Sequence, residues 1–379
     1  MNHRDEPRRV LHVIDSFDLG GAQTFLLDLV RHLNHTRFVA EVAAMHGHGV
    51  FECSFQEVGI PTHSLSPGKF PPHYIPNFWR LMRHKKFDII HFHLFGANLC
   101  AKPLAIAAGH QAIIVHDQCN DASRDRNLLL LGADALANRG ASRIIAVSES
   151  VRSFLVMKEA LPEAKVEMIP NGIDTHQFVP PGKAQRQAAR ARLGLPEKCF
   201  IIGGMGRLVA QKNFSLFLQV ASLITQRHPG VLFVIAGTGR LERELRQEAD
   251  VLGLAEAVLF LGHVADRAGF YHAMDVLLMP SDFEGTPMTL LEAMASALPV
   301  VASAVDGIAE VCTDHEDALL VPHGHQAAFV EALELLIEDA ELQSDLGRSA
   351  RRRIQEHYEI RGLVRRIEEV YDAVIAEVV

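Results

Sequence analysis

Two glutamates in the final third of the chain have the side chains and the spacing of a ligand site. Glu284 lies in a loop with Gly285 and Pro287, and Glu292 follows eight positions later on a predicted helix. Carboxylates bind hydroxyl groups, and the free N–H groups at a helix N-terminus bind phosphate. Glu292 lies in an apolar stretch where an unpaired carboxylate is costly, so we expect it to meet a ligand or a buried partner. The pattern predicts a site for a sugar nucleotide.

A glycine-rich segment supplies positive charge for such a ligand. Residues 203–213 follow a predicted strand and contain Arg207 and Lys212. The planar fork of an arginine and the point charge of a lysine together suit a diphosphate. The alternative is an exposed basic pair that binds nothing.

The first half of the chain contains two further candidates. Gly20 and Gly21 follow a predicted strand at a helix start, without the GxGxxG pattern of nicotinamide-binding proteins, and they can still present N–H groups to an anion. His116 ends a predicted strand, so we expect it to face a cleft. For His91, on a neighbouring predicted strand, a core or surface position is the preferred interpretation.

The elements that must position these residues alternate regularly. Short β-branched runs are separated by helical patterns, which predicts parallel βαβ units. The alternation stops at residues 169–182, with an Asn-Gly turn and a Pro-Pro pair, and then restarts. We predict an α/β protein with two Rossmann-like, doubly wound parallel-sheet domains, residues 1–175 and 176–359, that face each other across a cleft. A final helix at about 360–379 has an apolar stripe that must be buried.

Composition excludes several classes of protein. The net charge of −9 comes without a large basic field, which argues against a nucleic-acid partner. The five cysteines form no CxxC pair, and the 21 histidines show no HExxH or Cys/His ligand spacing. We therefore predict no metal and no cofactor. The polar N-terminus, without an apolar signal segment, favours a cytoplasmic location.

Taken together, these residues resemble the retaining glycosyltransferases of family 4, which have the GT-B fold, over nearly the whole chain. The family's motif of two glutamates separated by seven residues corresponds to Glu284 and Glu292. Its other elements correspond to Gly206, Arg207, Lys212 and Asn213, to the PNGID segment 170–174, to the FLGHV loop 260–264, and to Gly20 and Gly21.

The resemblance implies a role for each residue. Arg207 and Lys212 would neutralise the donor diphosphate, Glu292 would hold the ribose hydroxyls, and Glu284 would hold the transferred sugar. His116 would contact the sugar or the acceptor. The remaining donor contacts would come from the backbone of Gly20, Gly21, Gly285, Thr289 and Leu290 and from the base-flanking loop Gly262, His263 and Val264. The last helix would return to the first domain.

Two positions depart from the family pattern. Thr286 and Pro287 replace a Phe-Gly pair after the first glutamate, and proline removes one donor amide. Asp306 precedes Gly307 where the family has two glycines. We interpret Asp306 as a cap for a helix that begins near Ile308, with a donor contact as the alternative.

The predicted activity is transfer of a sugar from a UDP- or GDP-sugar, with retained configuration and without a metal, to a saccharide or polyprenyl-linked acceptor of bacterial envelope or exopolysaccharide assembly. Two alternatives are a 2-epimerase-like enzyme of the same fold and an inert sugar-nucleotide-binding homologue. Residues 69–86 interleave aromatic and basic side chains. They form either a patch that contacts the inner face of the plasma membrane or an ordinary surface helix.

Overall fold

The computed structural model describes residues 6–66, 73–118 and 128–378. The chain divides into two compact units, Met1–Gly172 with Ile360–Val379, and Ile173–Glu359. Each unit is built on one parallel sheet with helices in its crossover connections. The predicted class, two Rossmann-like doubly wound domains, is confirmed.

The first unit has a sheet of seven strands within the described residues, in the order β3-β2-β1-β4-β5-β6-β7. All neighbouring pairs are parallel. The central strands are buried on both faces, which explains their nearly continuous apolar sequences. The strands are β1 Arg8–Ser16, β2 Phe38–His46, β3 Thr62–Ser64, β4 Ile89–His93, β5 Ile113–Asp117, β6 Arg143–Ala146 and β7 Val166–Met168.

The helices of this unit fill the crossovers between its strands. Apolar residues of several of these helices pack in one core with the strands, and Tyr74, Phe78 and Met82 of the third helix belong to that core. The helices are α1 Gly21–His32, α2 Val50–Glu57, α3 Tyr74–His84, α4 Phe95–Cys100, α5 Lys102–Ala107, α6 Leu128–Arg139 and α7 Glu149–Met157.

The second unit repeats the architecture with six strands among the described residues, in the order β10-β9-β8-β11-β12-β13. The order reverses direction between β8 and β11. In sheets of this kind ligands bind beside the carboxyl ends of the strands at such a switch point. The strands are β8 Phe200–Met205, β9 Val231–Ala236, β10 Val258–Gly262, β11 Val276–Met279, β12 Val300–Ser303 and β13 Leu319–Val321.

Eight α-helices accompany this sheet within the described part of the second unit. Four of them, which span residues 214–227, 242–251, 326–338 and 340–357, join one core with the strands, in which Phe217 packs edge-on against Phe233. The helices are α8 Lys183–Arg192, α9 Phe214–Arg227, α10 Glu242–Val251, α11 Arg267–Ala273, α12 Met288–Ala295, α13 Asp306–Val311, α14 Gln326–Glu338 and α15 Ala340–His357.

The last helix, α16 Ile360–Val378, belongs to the first unit. Its apolar stripe is buried there, and Tyr371 packs edge-on against Phe38. Glu368 accepts from the backbone N–H of Asn34 at 2.7 Å, and Arg366 donates to the Met168 carbonyl at 2.6 Å. This helix therefore completes the core of a unit whose other residues lie almost 200 positions earlier.

Some elements differ from the sequence prediction. The helix predicted over 97–108 is two helices with a break at Ala101. Pro103 has no N–H, so it cannot donate the hydrogen bond that would continue the first helix. The sequence prediction omitted the short strand β3 and the helices α2, α6 and α8. Among the described residues no helix is both long and apolar enough to cross a membrane.

Candidate functional site

The two predicted donor segments meet at the switch point of the second sheet. The segment with Arg207 and Lys212 follows β8, and the loop with Glu284 follows β11. These strands are parallel neighbours, with Gly203 of β8 paired to Leu277 of β11. The carboxyl ends of neighbouring parallel strands lie at one edge of a sheet, so the fold brings the cations and the carboxylate together.

Side chains and backbone then fasten these two segments to each other. Asn213 takes a left-handed conformation with φ 47°, caps α9 by accepting from the Leu216 N–H, and donates to Asp282 at 2.8 Å. Gln211 donates to the Phe283 carbonyl at 3.0 Å, and its own carbonyl accepts from the Asp282 N–H at 2.9 Å. Three hydrogen bonds, made by the residues on either side of Lys212, therefore fix its position relative to the Glu284 loop.

Lys212 and Glu284 form an ion pair. The Lys212 ammonium donates to Glu284 Oε1 at 2.5 Å, and the two side chains are 14% and 6% exposed. An ammonium has three protons, so this contact leaves donors for a phosphate. Arg207 is exposed, and no hydrogen bond or ion pair joins its side chain to another described residue. The ammonium of Lys212 is therefore held in place by Glu284, whereas the guanidinium of Arg207 is exposed.

The N-terminus of α12 lies between the two glutamates in sequence. Pro287 is its N-cap residue, and within the described structure the amides of Met288 and Thr289 have no backbone acceptor. The Leu290 amide, predicted to cap a phosphate, donates to the Pro287 carbonyl at 3.1 Å. Thr289 Oγ1 is buried and has no hydrogen-bond partner among the described residues. An orphaned hydroxyl beside two free amides suits an anionic oxygen.

Glu292 is buried on α12 with 1% exposure, as its apolar context predicted. It pairs with Arg267, and Tyr271 donates to its Oε2 at 2.8 Å. Burial, together with the Glu292 charge, holds the pKa of Tyr271 well above its ordinary value, so the phenol stays protonated. Sequence reasoning missed both partners. The available signal was a basic and an aromatic residue four positions apart on one helix, which is a common pattern.

The interpretation of Asp306 as a side-chain cap was wrong. The helix α13 begins at Asp306 itself, its N-cap is Val305, and no side chain caps it. Instead the Asp306 carboxylate accepts from the Glu284 backbone N–H, and the Glu284 carbonyl accepts from the Gly307 N–H at 3.2 Å. Burial, and then the charges of nearby glutamates, raise the pKa of Asp306. A third carboxyl group therefore lies beside the Glu284 loop.

The predicted base-flanking loop continues the same edge of the sheet. Gly262 ends β10 with φ 67°, and its carbonyl accepts from the Gly237 N–H at 2.7 Å. Gly237 in turn lies so close to Gly206 that a Cβ would sit 1.9 Å from the Gly206 carbonyl oxygen. His263 is exposed and Val264 is half-buried. The glycines thus let three strand ends approach one another.

In the first unit, Gly20 and Gly21 start α1 as predicted. Gly20 is the N-cap residue in an extended conformation, and a side chain there would collide with Gln23. The first turn of the helix has no acidic residue. Their role in holding a donor stays a prediction.

His116 does not face solvent, contrary to the sequence-based expectation. It is fully buried on β5 and packs against Phe25, His91 and His93. Burial lowers its pKa to about 3, so the ring is neutral at neutral pH. His91 lies in the core, in agreement with the preferred interpretation. Its Nδ1 is hydrogen-bonded to the Tyr371 hydroxyl at 2.8 Å. A contact of His116 with the sugar or acceptor stays a prediction.

His12 completes this group of four buried histidines on β1, β4 and β5, which the sequence prediction did not anticipate. His12 Nδ1 and His93 Nε2 are 3.0 Å apart, a hydrogen-bond distance. Ligand nitrogens of His12, His91 and His93 lie within 4.8 Å of one another. Tetrahedral zinc requires about 3.4 Å between imidazole nitrogens. We interpret the group as a packed array of neutral rings, in which His12 and His93 are hydrogen-bonded to each other.

The aromatic and basic segment 69–86 is only partly a surface. Tyr74 and Phe78 are buried in the core, so these two side chains are part of neither a membrane patch nor an exposed helix face, the two alternatives for this segment. Lys69 and Phe70 lie outside the described residues. The exposed face of α3 retains Ile75, Arg80 and Arg83, beside a half-buried Trp79.

Comparison with known proteins agrees with this architecture. A family model described as Glycosyltransferase Family 4 matches residues 19–177. A second model, described as Glycosyl transferases group 1, matches residues 185–353. Between them the two models match most of both units.

Individual relatives are distant but extensive. A galactosyltransferase of Escherichia coli, named UDP-Gal:alpha-D-GlcNAc-diphosphoundecaprenol alpha-1,3-galactosyltransferase, is 26% identical and aligns over 80% of this chain and 79% of its own length. A D-inositol 3-phosphate glycosyltransferase of Arthrobacter sp. (strain FB24) is 27% identical, over 77% of this chain and 75% of its own length. The crystal structure of Anabaena HepE in complex with UDP-glucose superposes with a TM-score of 0.85 at 20% identity, covering 96% and 99% of the two chains. The chain belongs to glycosyltransferase family 4 and is a glycosyltransferase of the GT-B fold.

Proposed function

We propose that this chain transfers a sugar from a nucleoside diphosphate sugar with retained anomeric configuration. The observation that carries the proposal is the Lys212–Glu284 pair at the switch point, 2.5 Å apart and nearly buried. A cation suited to phosphate and a carboxylate suited to sugar hydroxyls are there presented side by side. The exposed guanidinium of Arg207 follows the same strand.

In the proposed reaction the bond between the anomeric carbon and the diphosphate oxygen breaks, and the leaving group gains negative charge. Arg207, Lys212 and the amides of Met288 and Thr289 stabilise that charge. Glu284 orients the sugar through its hydroxyls while it stays paired with Lys212. The acceptor oxygen attacks from the side of the departing diphosphate, which takes the acceptor proton, so the configuration is retained.

The proposal requires no metal and no cofactor. Two cationic side chains and a helix N-terminus provide the charge that a divalent ion would otherwise provide. Turnover in the presence of EDTA should therefore equal turnover in its absence. A loss of activity that Mg²⁺ or Mn²⁺ restores would contradict this part of the proposal.

The names of the relatives suggest the substrates to test first. The Escherichia coli relative is named for a UDP-galactose donor and an acceptor linked to diphosphoundecaprenol. We propose a UDP-sugar, with a GDP-sugar as the alternative, and an acceptor that is a saccharide or a polyprenyl-linked sugar. No nucleic acid takes part in this scheme.

The first experiment is a thermal-shift screen against UDP, GDP, ADP and their sugars. A ligand at one hundred times its dissociation constant should stabilise the folded state by about 2.7 kcal/mol. We expect one nucleotide and its sugars to raise the Tm, and Lys212→Ala to abolish the shift. If none of these compounds shifts the Tm of the wild-type chain, the proposed function is wrong.

The second experiment separates transfer from its alternatives. Incubation of the identified sugar nucleotide with and without acceptor, followed by NMR of the anomeric proton, should give a product of unchanged configuration only when acceptor is present. A new sugar nucleotide without acceptor would indicate an epimerase instead. Tight binding with no product under either condition would indicate a binding protein.

A peripheral contact with the inner face of the plasma membrane is the proposal's final part, since a polyprenyl-linked acceptor lies in a membrane. It rests on the exposed Ile75, Arg80 and Arg83 of α3. The chain should co-sediment with vesicles that contain anionic lipid, and Arg80→Ser with Arg83→Ser should weaken that binding. Equal recovery with and without vesicles would favour an ordinary surface helix.

A further inference from the structure

Glu292 is held by two side chains before any nucleotide arrives. Its carboxylate is 1% exposed, and it accepts from the Arg267 guanidinium through Oε1 and from the Tyr271 hydroxyl through Oε2. A buried carboxylate that lacked such donors would be strongly destabilising. Its rotamer is thus determined by two donors that approach different oxygens.

Both donors come from the single helix α11. Arg267 and Tyr271 are four positions apart, so they lie on one face of that helix. Its N-terminus is fixed by Asp266, which accepts from the Gly269 N–H at 2.9 Å. The helix therefore presents the guanidinium and the phenol to α12 as one rigid unit.

The ring of Phe178 supports this pair. Tyr271 is 1% exposed and meets Phe178 edge-on, with 6.1 Å between ring centroids. The Arg267 guanidinium carbon lies 5.8 Å from the centroid of the same ring. The Tyr271 hydroxyl also lies 3.4 Å from the sulfur of Met205, the last residue of β8. The hydroxyl that donates to Glu292 thus also lies beside the strand that leads to Arg207.

We propose that Arg267 and Tyr271 are positioning residues that aim the Glu292 carboxylate at the ribose hydroxyls of the donor and so make the site selective for ribonucleotides. The inference rests on the proposed function, because it needs a nucleotide donor whose ribose lies at Glu292, the position that the family resemblance implies. An ionised carboxylate offers about four acceptor sites and no donor, so two protein donors do not exhaust it. Arg267 favours the ionised form, which accepts from hydroxyl groups.

The consequence is a specific loss of selectivity. Without Arg267 the carboxylate is left buried beside an apolar helix face, where it turns away or takes up a proton. Without the Tyr271 hydroxyl, one oxygen loses the donor that fixes its direction. Either change removes the contact with the ribose hydroxyls while the phosphate contacts of Arg207 and Lys212 remain.

The test compares UDP with 2′-deoxy-UDP, or the matching GDP or ADP pair if the thermal-shift screen identifies that base. Calorimetry on the full chain gives the ratio of the two dissociation constants. A hydrogen bond to a charged group predicts a wild-type ratio of about 10 to 100 in favour of the ribonucleotide. Arg267→Met and Tyr271→Phe should bring the ratio close to one, with little change in affinity for the deoxynucleotide. Arg267→Lys, which keeps the positive charge, should retain part of the wild-type ratio.

Two controls separate positioning from a general structural effect. Arg227→Met removes an exposed arginine that pairs with Glu334 in the same unit, and it should leave the ratio unchanged. In a Glu292→Gln background, Arg267→Met should have no further effect on the ratio, because both residues act through one carboxylate.

The outcomes are distinguishable. If Arg267→Met and Tyr271→Phe fold and keep the wild-type ratio, or if they weaken both nucleotides equally, the positioning role is overturned while the proposed function stands. If the wild-type chain binds none of the nucleotides, the proposed function fails and this inference fails with it.

Discussion

In the proposed donor site, Lys212 and Glu284 are paired with each other in the absence of a ligand. Each side chain is nearly buried, and each satisfies the other across 2.5 Å. Under the proposed function, a phosphate would meet an ammonium that Glu284 already orients, and a sugar hydroxyl would meet a carboxylate that Lys212 already holds in place. Little side-chain entropy then remains to be lost on binding.

Substitution of the two cations tests this arrangement. Lys212→Ala and Arg207→Ala should each lower kcat by about 10²- to 10³-fold, because each removes stabilisation of the leaving diphosphate. The variants should differ in stability. Lys212→Ala leaves Glu284 nearly buried without its partner, whereas Arg207 is exposed, so only Lys212→Ala should lower the Tm.

Lys198→Ala is the matched control, since Lys198 is an exposed lysine of the same unit. Its kcat and Tm should equal those of the wild type. The assignment of the diphosphate to this pair would be contradicted by Lys212→Ala or Arg207→Ala turning over at the wild-type rate.

For single residues, sequence patterns predicted the burial of a side chain better than they predicted the residues that it contacts. The apolar context of Glu292 predicted burial with a partner, and the structure confirms it. That the partner is Arg267 depends on the packing of α11 against α12, which no local pattern encodes. His116 was misplaced for the same reason. A strand-end position does not reveal which helix covers the face, and here Phe25 of α1 covers it.

At the scale of elements, the contact between Gly285 and Gly307 joins the Glu284 loop to α13. A Cβ on Gly307 would lie 1.4 Å from the Gly285 carbonyl oxygen, so the two backbones approach as closely as glycine allows. The Glu284 carbonyl also accepts from the Gly307 N–H at 3.2 Å. The helix α13 therefore packs directly against the Glu284 loop and supports it.

Gly307→Ala should displace that loop. Overpacking against backbone costs about 1–3 kcal/mol, so the Tm should fall, and the thermal shift with the nucleotide sugar should shrink as Glu284 moves. Gly230→Ala is the control, because a Cβ there meets nothing within 4 Å. A Gly307→Ala variant with the wild-type Tm and the wild-type ligand shift would show that the close approach is dispensable.

The elements that sequence reasoning found are those with strong periodicity or long apolar runs. The central strands and the helix α9 were predicted nearly to their ends. The strand β3 has only three residues, and α8 is highly polar, so neither has the apolar pattern that identifies an element. In α13 the helix starts at an aspartate whose side chain turns towards Glu284 instead of capping, which the sequence pattern does not distinguish.

At the scale of the molecule, the four histidines of the first sheet make stability depend on pH. Burial, and then the charge of His116, lowers the pKa of His12 to about 3, and burial lowers that of His116 to about 3. Burial and neighbouring rings hold the pKa values of His91 and His93 well below their ordinary range. These rings gain protons only on unfolding, so the unfolded state binds more protons below about pH 6.5.

Stability should therefore be full above pH 6.5 and fall as the pH decreases from there towards 3. For His12 and His116 together the loss at pH 5 is about 4 kcal/mol. Urea unfolding at pH 7.5 and 5.0, followed by the fluorescence of the single tryptophan, Trp79, reports on the first unit. Carboxylates also contribute to acid lability, so the comparison needs a variant.

The slope of the unfolding free energy against pH gives the number of protons that are taken up on unfolding. His12→Asn should lower that number by one. His35→Asn, at an exposed position, should leave the slope unchanged. The interpretation of a neutral buried array fails if His12→Asn and the wild type show the same slope between pH 6 and 4.

The docking of Ile360–Val378 on the first unit has a consequence for synthesis. During translation the amino-terminal half emerges first, but the helix that packs on it, and whose Tyr371 is hydrogen-bonded to His91, leaves the ribosome only after the whole second unit. The second unit, Ile173–Glu359, is continuous in sequence, so it can fold before the final helix of the first unit has been made. A nonsense codon at position 360 would thus leave the second unit intact and expose the core of the unit that is made first.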